Sequence, residues 1–253
     1  MKASTVLRKL REGSLVNCFK VNLTDPRVAE IVSLVGFDCV WVDMEHIGQD
    51  WSAIAAQVWA TKTQNTDIMI RVSRGSYSDY VRPLELDATG IIVPHIMGLQ
   101  DAREVVQYTR FHPLGRRPVD GGNGDGLYTM MNFDEYIEQS NREKFVVLQI
   151  EDPEPLAELE AIADLPGYDM LFFGPADFSQ GIGALGKWDD PRIMEARRTV
   201  VDTALKYGKF AGTVGTPENI RDLQSMGYQF VSMGADVIGL AQYCKKVLAA
   251  YPK

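Results

Sequence analysis

With only three histidines and three cysteines in 253 residues, the chain is short of soft metal ligands and of cross-links. Cys18, Cys39 and Cys244 are odd in number and far apart, so no disulfide framework is expected; reduced, buried thiols in a cytoplasmic protein are the expectation. His46, His95 and His112 are too few and too scattered for a histidine-rich zinc site. Long apolar runs are missing as well. Nothing approaches the roughly 20 residues that span a bilayer, and the N-terminal MKASTVLRKLREG is polar and helix-like, without the apolar core of a signal peptide. No membrane association is expected. There is no lysine or arginine stripe to track a phosphate backbone, and 34 acidic against 26 basic residues give a net charge of −8, so no nucleic-acid partner is expected. GGNGDG (121–126) has no strand before it and no Lys-Ser/Thr after it, so it is neither a P-loop nor a dinucleotide fingerprint, and no nucleotide cofactor is expected.

What is present is a rhythm. Apolar or β-branched runs recur at 14–19, 39–43, 68–72, 90–94, 145–150, 170–174, 210–214 and 230–234, which makes eight candidate strands. Between them lie segments with helical spacing, including 25–36, 51–63, 99–111, 152–164, 190–208 and 216–227, several opened by an Asp or Thr able to cap a first turn. Near-continuous apolar strands alternating with amphipathic helices imply a parallel sheet covered by helices. Eight repeats favour closure into a (β/α)8 TIM barrel, a single domain over 1–253, and the length is typical of that fold. Residues 111–144 break the rhythm with Gly, Arg and Asn; they read as an extended loop and a following helix, either an ordered excursion over the barrel mouth or at a subunit contact, or a mobile solvated loop. Residues 236–253 read as a terminal amphipathic helix that either closes the barrel or docks on a neighbouring subunit.

Active sites of such barrels lie at the C-terminal ends of the strands. Glu151 follows FVVLQI and Asp177 follows MLFFGPA, so two carboxylates reach one end from neighbouring strands. Each alone reads equally well as a helix cap; the pair suits an octahedral Mg²⁺ or Mn²⁺. CVWVDMEH ends in Asp43, Glu45 and His46, where Asp43 is placed to orient the His46 imidazole as a general base. Arg71, inside IMIRV, is either a structural ion-pair partner of Glu45 or Asp43 or a stabiliser of an enolate oxygen. Gln149 is a polar strand end able to hydrogen-bond a metal water or substrate. Gly174, Pro175, Ala176 and Asp177 form a turn whose backbone N–H groups could hold a carboxylate. Lys20, after the first strand, is the one lysine placed for a Schiff base, a weaker route than the metal set. His95 and His112 are expected to be non-catalytic.

These residues resemble the HpcH/HpaI aldolases, class II metal-dependent pyruvate aldolases. The likeness covers almost the whole chain through VAEIVSLVGFDCVWVDMEH, the IRV strand, GIIVPHIMGLQDAREVV, RFHPLGRRPVDGG, LQIED and above all FFGPADFSQGIG. It implies that Glu151 and Asp177 bind a divalent cation (Mg²⁺, Mn²⁺ or Co²⁺), that His46 is the base, that Arg71 holds the keto or enolate oxygen, and that Gly174 to Asp177 donate to the pyruvate carboxylate. It further implies a modified barrel and a homohexamer, a trimer of dimers with the C-terminal helix exchanged between subunits. The expected reaction is reversible aldol cleavage of a 4-hydroxy-2-oxo acid to pyruvate, or a related 2-oxo acid, and an aldehyde. Oxaloacetate decarboxylation or a C–C bond-forming synthase on the same site, a coenzyme A ester lyase, and a non-catalytic barrel are the alternatives. The chain departs from the family pattern at Met44, at His95, where an apolar residue is usual, and in the loop from His112 onward. These departures fall on the walls that meet the aldehyde, and Gly121 to Tyr128, Trp188 and Val214 are the candidates for shaping its pocket.

Overall fold

The computed structural model describes residues 1–252; Lys253, the last residue of the expected terminal helix, lies outside the described residues. In chain order the elements are α1 (Thr5–Arg11), β1 (Val16–Val21), α2 (Pro26–Val35), β2 (Cys39–Asp43), α3 (Trp51–Lys62), β3 (Asp67–Arg71), α4 (Tyr77–Glu85), β4 (Gly90–Val93), α5 (Leu99–Thr109), α6 (Phe133–Glu143), β5 (Phe145–Ile150), α7 (Leu159–Asp164), β6 (Met170–Phe173), α8 (Pro175–Gly181), α9 (Pro191–Lys206), β7 (Phe210–Gly215), α10 (Ile220–Met226), β8 (Phe230–Ala235) and α11 (Asp236–Leu248). The eight strands pair in sequence order, all parallel, and β8 returns to β1 to close a barrel. The expected α/β TIM-like barrel is the observed fold.

Side chains alternate between the two faces of a strand, and the inward series is what builds the site. Cys18, Cys39, Trp41, Met69, Phe145, Val147, Met170, Phe172 and Phe230 fill the barrel interior, and Val6, Leu7 and Leu10 of α1 plug its N-terminal end. Continuing each series by two residues toward the C-terminal end reaches Lys20, Asp43, Arg71, Gln149 and then Glu151. An apolar column thus supports a polar mouth. Outward-facing residues such as Val40, Ile70, Ile91 and Leu148 join the helices in a second apolar layer.

The helix α4 lies outside the segments named for their helical spacing and carries Pro83 in its interior; Ser76 and Asp79 form a capping box at its start. Cys244 is exposed on α11, so only two of the three thiols are buried as expected. The segment after α5 also corrects an expectation. A Cβ placed on Gly124 would stand 3.5–3.6 Å from the carbonyl oxygens of Glu85 and Leu86 and from Asp87 Cβ, at the end of α4 that precedes β4, and Arg110 donates to the carbonyls of Lys144 and Gly167, just before β5 and β6. The segment therefore lies at the N-terminal end of the barrel, opposite the mouth, and Gly121 to Tyr128 cannot wall the chain's own pocket. Nor is it a loose solvated loop. Arg117 and Asp125, both fully buried, pair at 2.7 Å, Tyr136 donates to the same carboxylate at 2.8 Å, and the Arg117 guanidinium lies 4.8 Å from the Phe111 ring centroid.

Removing one member of a buried ion pair strands the other charge. Arg117→Ala is expected to lower unfolding free energy by about 3–5 kcal/mol in urea titrations, whereas Arg116→Ala, at an exposed position, should change it by less than about 0.5 kcal/mol.

Candidate active site

Asp43 is the anchor of the mouth. Its carboxylate is fully buried and accepts from Arg71 Nε at 3.0 Å and Arg71 NH2 at 2.5 Å, a bidentate fork. Lys20 Nζ, reaching across from β1, lies 2.8 Å from the second oxygen. The backbone N–H groups of Glu45 and His46 donate to the first at 3.0 and 3.3 Å. Burial opposes ionisation of Asp43, but the Arg71 and Lys20 donors outweigh it and hold the carboxyl far below the usual carboxylate range. The expected role of Asp43, orienting the His46 imidazole, is not what the geometry gives: its oxygens are taken by Arg71, Lys20 and main-chain N–H groups, because the turn after β2 folds back on the carboxylate. Arg71 is instead the group that Asp43 orients. A further 3.0 Å contact from NH1 to Glu45 Oε2 completes its clamp, and the guanidinium lies 5.3 Å from the Trp41 ring centroid. Lys20 pairs with the same carboxylate and, like Arg71, lines the cavity beside it.

Beside the clamp is a cavity of about 450 Å³ at the strand ends. Arg71, Gln149 and Glu151 line one side, and Gly174, Pro175, Ala176 and Asp177 another; Val214 and Ser232 supply the β7 and β8 walls, with His46 at the rim. All the expected site residues except Asp43, which lies buried among its partners, thus face one space. Trp188 is not on its lining; it stands more than half exposed between α8 and α9.

Glu151 is buried, with its two oxygens facing different ways. Oε1 accepts from the backbone N–H of His95 at 3.0 Å, while Oε2 accepts from the Gln149 amide. A Cβ on Gly174 would stand 2.7 Å from Oε2, so only glycine lets the β6–α8 turn approach this carboxylate. Burial pushes the Glu151 carboxyl up to about 7; the His95 donor, the His95 charge and Arg71 act against this, and the Asp177 charge adds to it. A carboxylate so reluctant to ionise in a dry pocket beside a second carboxylate is one that a cation would relieve. Gln149 Oε1 is likewise buried without a hydrogen-bond partner. Two carboxylates and an unsatisfied amide oxygen are hard donors, and they fit a divalent cation.

His46 exposes more than half of its side chain at the rim, with Nε2 3.6 Å from Glu45 Oε2. The residue that sequence reasoning set aside is His95. Its φ of 48° is left-handed, which turns its backbone N–H onto Glu151 and its ring toward the acidic side of the mouth. Nδ1 stands 2.8 Å from Asp152 Oδ2, and Nε2 stands 3.4 Å from Glu45 Oε1 and 3.9 Å from Glu151 Oε1. The signal was its position just after β4, where a barrel carries function, together with the acidic pair Glu151 and Asp152 after β5.

Comparison with known proteins agrees with this geometry. The family model for HpcH/HpaI aldolase/citrate lyase matches residues 17–242. A hydroxypyruvate/pyruvate aldolase of Delftia acidovorans is 30% identical over 230 residues, covering 89% of this chain and 84% of that one. A 5-keto-4-deoxy-D-glucarate aldolase of Klebsiella pneumoniae is 28% identical, covering 91% and 90%. The crystal structure of an HpcH/HpaI aldolase from Desulfitobacterium hafniense superposes with a TM-score of 0.91 at 25% identity, covering 99% of this chain and 98% of that one. A match over nearly nine-tenths of the sequence, on a barrel whose mouth gathers these side chains, makes the chain a member of the HpcH/HpaI aldolase/citrate lyase family, and with it a carbon–carbon lyase.

Proposed function

We propose that the chain is a class II aldolase that cleaves a 4-hydroxy-2-oxo acid, reversibly, to pyruvate or a close 2-oxo acid and an aldehyde. The observation that carries this reading is the pairing of an oxygen donor set, Glu151, Asp177 and Gln149, with a clamped guanidinium, Arg71, around one cavity. Glu151 and Asp177 would hold a divalent cation, Mg²⁺, Mn²⁺ or Co²⁺. When bound, that cation supplies Lewis-acid polarisation of the 2-oxo acid, a contribution of several kcal/mol at developing negative charge.

The chain's own groups do the rest. Arg71 cannot swing, because Asp43 and Glu45 hold three of its contacts, so its donors are preorganised for the oxygen on which charge develops. The first-turn N–H groups of Ala176 and Asp177 in α8 lack partners within the helix and would bind the substrate carboxylate. Val214 offers an apolar wall. His46, at the rim, accepts the proton of the 4-hydroxyl as the C3–C4 bond breaks and the aldehyde leaves; the electron pair of that bond forms the C2–C3 double bond of the enolate, which takes the proton back from His46 at C3 to give the 2-oxo acid. In synthesis the steps reverse. The names of the relatives, one acting on hydroxypyruvate or pyruvate and one on a keto-deoxy sugar acid, favour small hydroxylated acceptors.

The assembly is a second part of the reading. In a single chain α11 buries no residue and exposes Ile238, Leu240, Tyr243 and Leu248. An apolar helix standing off its own barrel supports exchange of α11 between subunits, with a homohexamer as the assembly.

Glu151→Ala is expected to lower kcat/KM for aldol cleavage by about a thousandfold or more, the scale of losing several kcal/mol of charge stabilisation, with the circular dichroism of the folded chain retained. Retained turnover would refute the assignment. Since Glu151 holds its proton up to about pH 7 and only the ionised carboxylate binds a cation, the apparent Mn²⁺ affinity of metal-stripped protein should rise as pH increases toward 7 and level off above it; isothermal titration at several pH values checks the sign. For the assembly, light scattering coupled to size exclusion should give six chains for the parent and smaller species for Leu240→Asp, whereas a monomeric parent would contradict the exchange.

A further inference from the structure

The rim of the cavity holds a second group of ligand atoms, of which the aldolase reading uses only the carboxylate of Glu151. Glu45, His95 and Glu151 each offer one atom, all within 4.8 Å of one another. Glu45 and His95 are not on the cavity lining, so this group lies beside the Glu151–Asp177 pair, on the side of β2 and β4. We propose that Glu45 Oε1, His95 Nε2 and Glu151 Oε1 form a second divalent-cation subsite, with Glu151 shared between it and the first.

Four features carry the proposal. The contacts of 3.4 and 3.9 Å from Nε2 to the two carboxylate oxygens are close to the spacing of about 3.0–3.4 Å between neighbouring ligands that each stand about 2.1 Å from one ion. The other ring nitrogen of His95 meets Asp152 at 2.8 Å, the carboxylate partner that fixes the tautomer of a metal-binding imidazole and turns the Nε2 lone pair outward. Arg71 contacts Glu45 through Oε2 at 3.0 Å, and the other oxygen, Oε1, is the one that stands 3.4 Å from His95 Nε2. Finally, Glu151 is oriented to bridge, since Oε1 faces His95 and Oε2 faces Gln149 and the Gly174 turn that leads to Asp177. One nitrogen with two oxygens suits a borderline transition ion such as Co²⁺, Zn²⁺ or Mn²⁺ better than Mg²⁺.

The subsite shares Glu151 with the proposed catalytic cation but not Asp177, so the two stand or fall separately. Metal-stripped full-length protein is titrated with Co²⁺ alone, and bound metal is counted after equilibrium dialysis while the visible absorption is recorded. The parent chain should bind two equivalents. His95→Asn, chosen because asparagine tolerates a left-handed backbone, and Glu45→Gln should each bind one and lose the absorption of the nitrogen-ligated ion; Asp152→Asn should weaken that equivalent by tenfold or more. Asp177→Asn should lose the other equivalent. A single equivalent in the parent, or two equivalents and an unchanged spectrum in folded His95→Asn and Glu45→Gln, would overturn the subsite. Two equivalents retained in Asp177→Asn would instead count against the catalytic pair and leave the subsite standing.

Discussion

Everything at the mouth of this barrel depends on one buried carboxylate. Asp43 has no access to water, and an isolated charge in that position would be very costly. It survives as an anion because Arg71 grips it with two donors, Lys20 reaches it from β1, and two main-chain N–H groups of the following turn point at it. Three neighbouring strands are thereby tied at their C-terminal ends. In the proposed reaction the tie would also serve the chemistry, since a guanidinium locked in place presents its charge without a reorganisation cost.

The second constraint is the opposite of the first. Asp43 is over-supplied with positive partners, whereas Glu151 is short of them. Buried, next to Asp177, and served mainly by neutral donors, Glu151 holds its proton to about pH 7. Two carboxylates at the C-terminal ends of parallel strands have thus been driven apart: one is a fixed anion that positions Arg71, the other is the one that, in the proposed function, would exchange a proton for a cation. Burial alone does not distinguish them, for both are nearly inaccessible; their partners do.

The barrel was legible because its strands are short apolar runs separated by amphipathic helices, a pattern that needs no tertiary information. All eight strands fall on the expected runs. What escaped did so for local reasons. The helix α4 carries Pro83 in its interior, an unfavourable place for proline, and yet Tyr80, Val81 and Leu84 bury as a helical face. Of the placements open to the segment after α5, the one over the mouth fell at the wrong end because Gly, Arg and Asn look the same in a lid as in a pinned loop; the pairing of Arg117 with Asp125, eight residues apart in sequence, depends on where Tyr136 and Phe111 lie in three dimensions. At the site, the strand-end residues could be named because each closes or follows an apolar run. Their partners were legible only as alternatives. Asp43 looked like a partner for the nearby His46, and Arg71 like a partner of Glu45 or Asp43; register settles the matter, since Arg71, twenty-eight residues on, lies directly opposite Asp43 on β3 and contacts both carboxylates. The place of His95 was hidden because its left-handed backbone, which turns it into the acidic rim, leaves no mark in the sequence.

The most direct test of the account is deuterium exchange into the methyl group of pyruvate, followed by proton NMR, with Mg²⁺ or Mn²⁺ and then with a chelator. It reads enolisation at the Arg71, Glu151 and Asp177 site without requiring the natural aldehyde. The account predicts exchange that depends on the added metal and is lost in Glu151→Ala. Exchange unaffected by chelation, or no exchange from folded protein with metal bound, would contradict it.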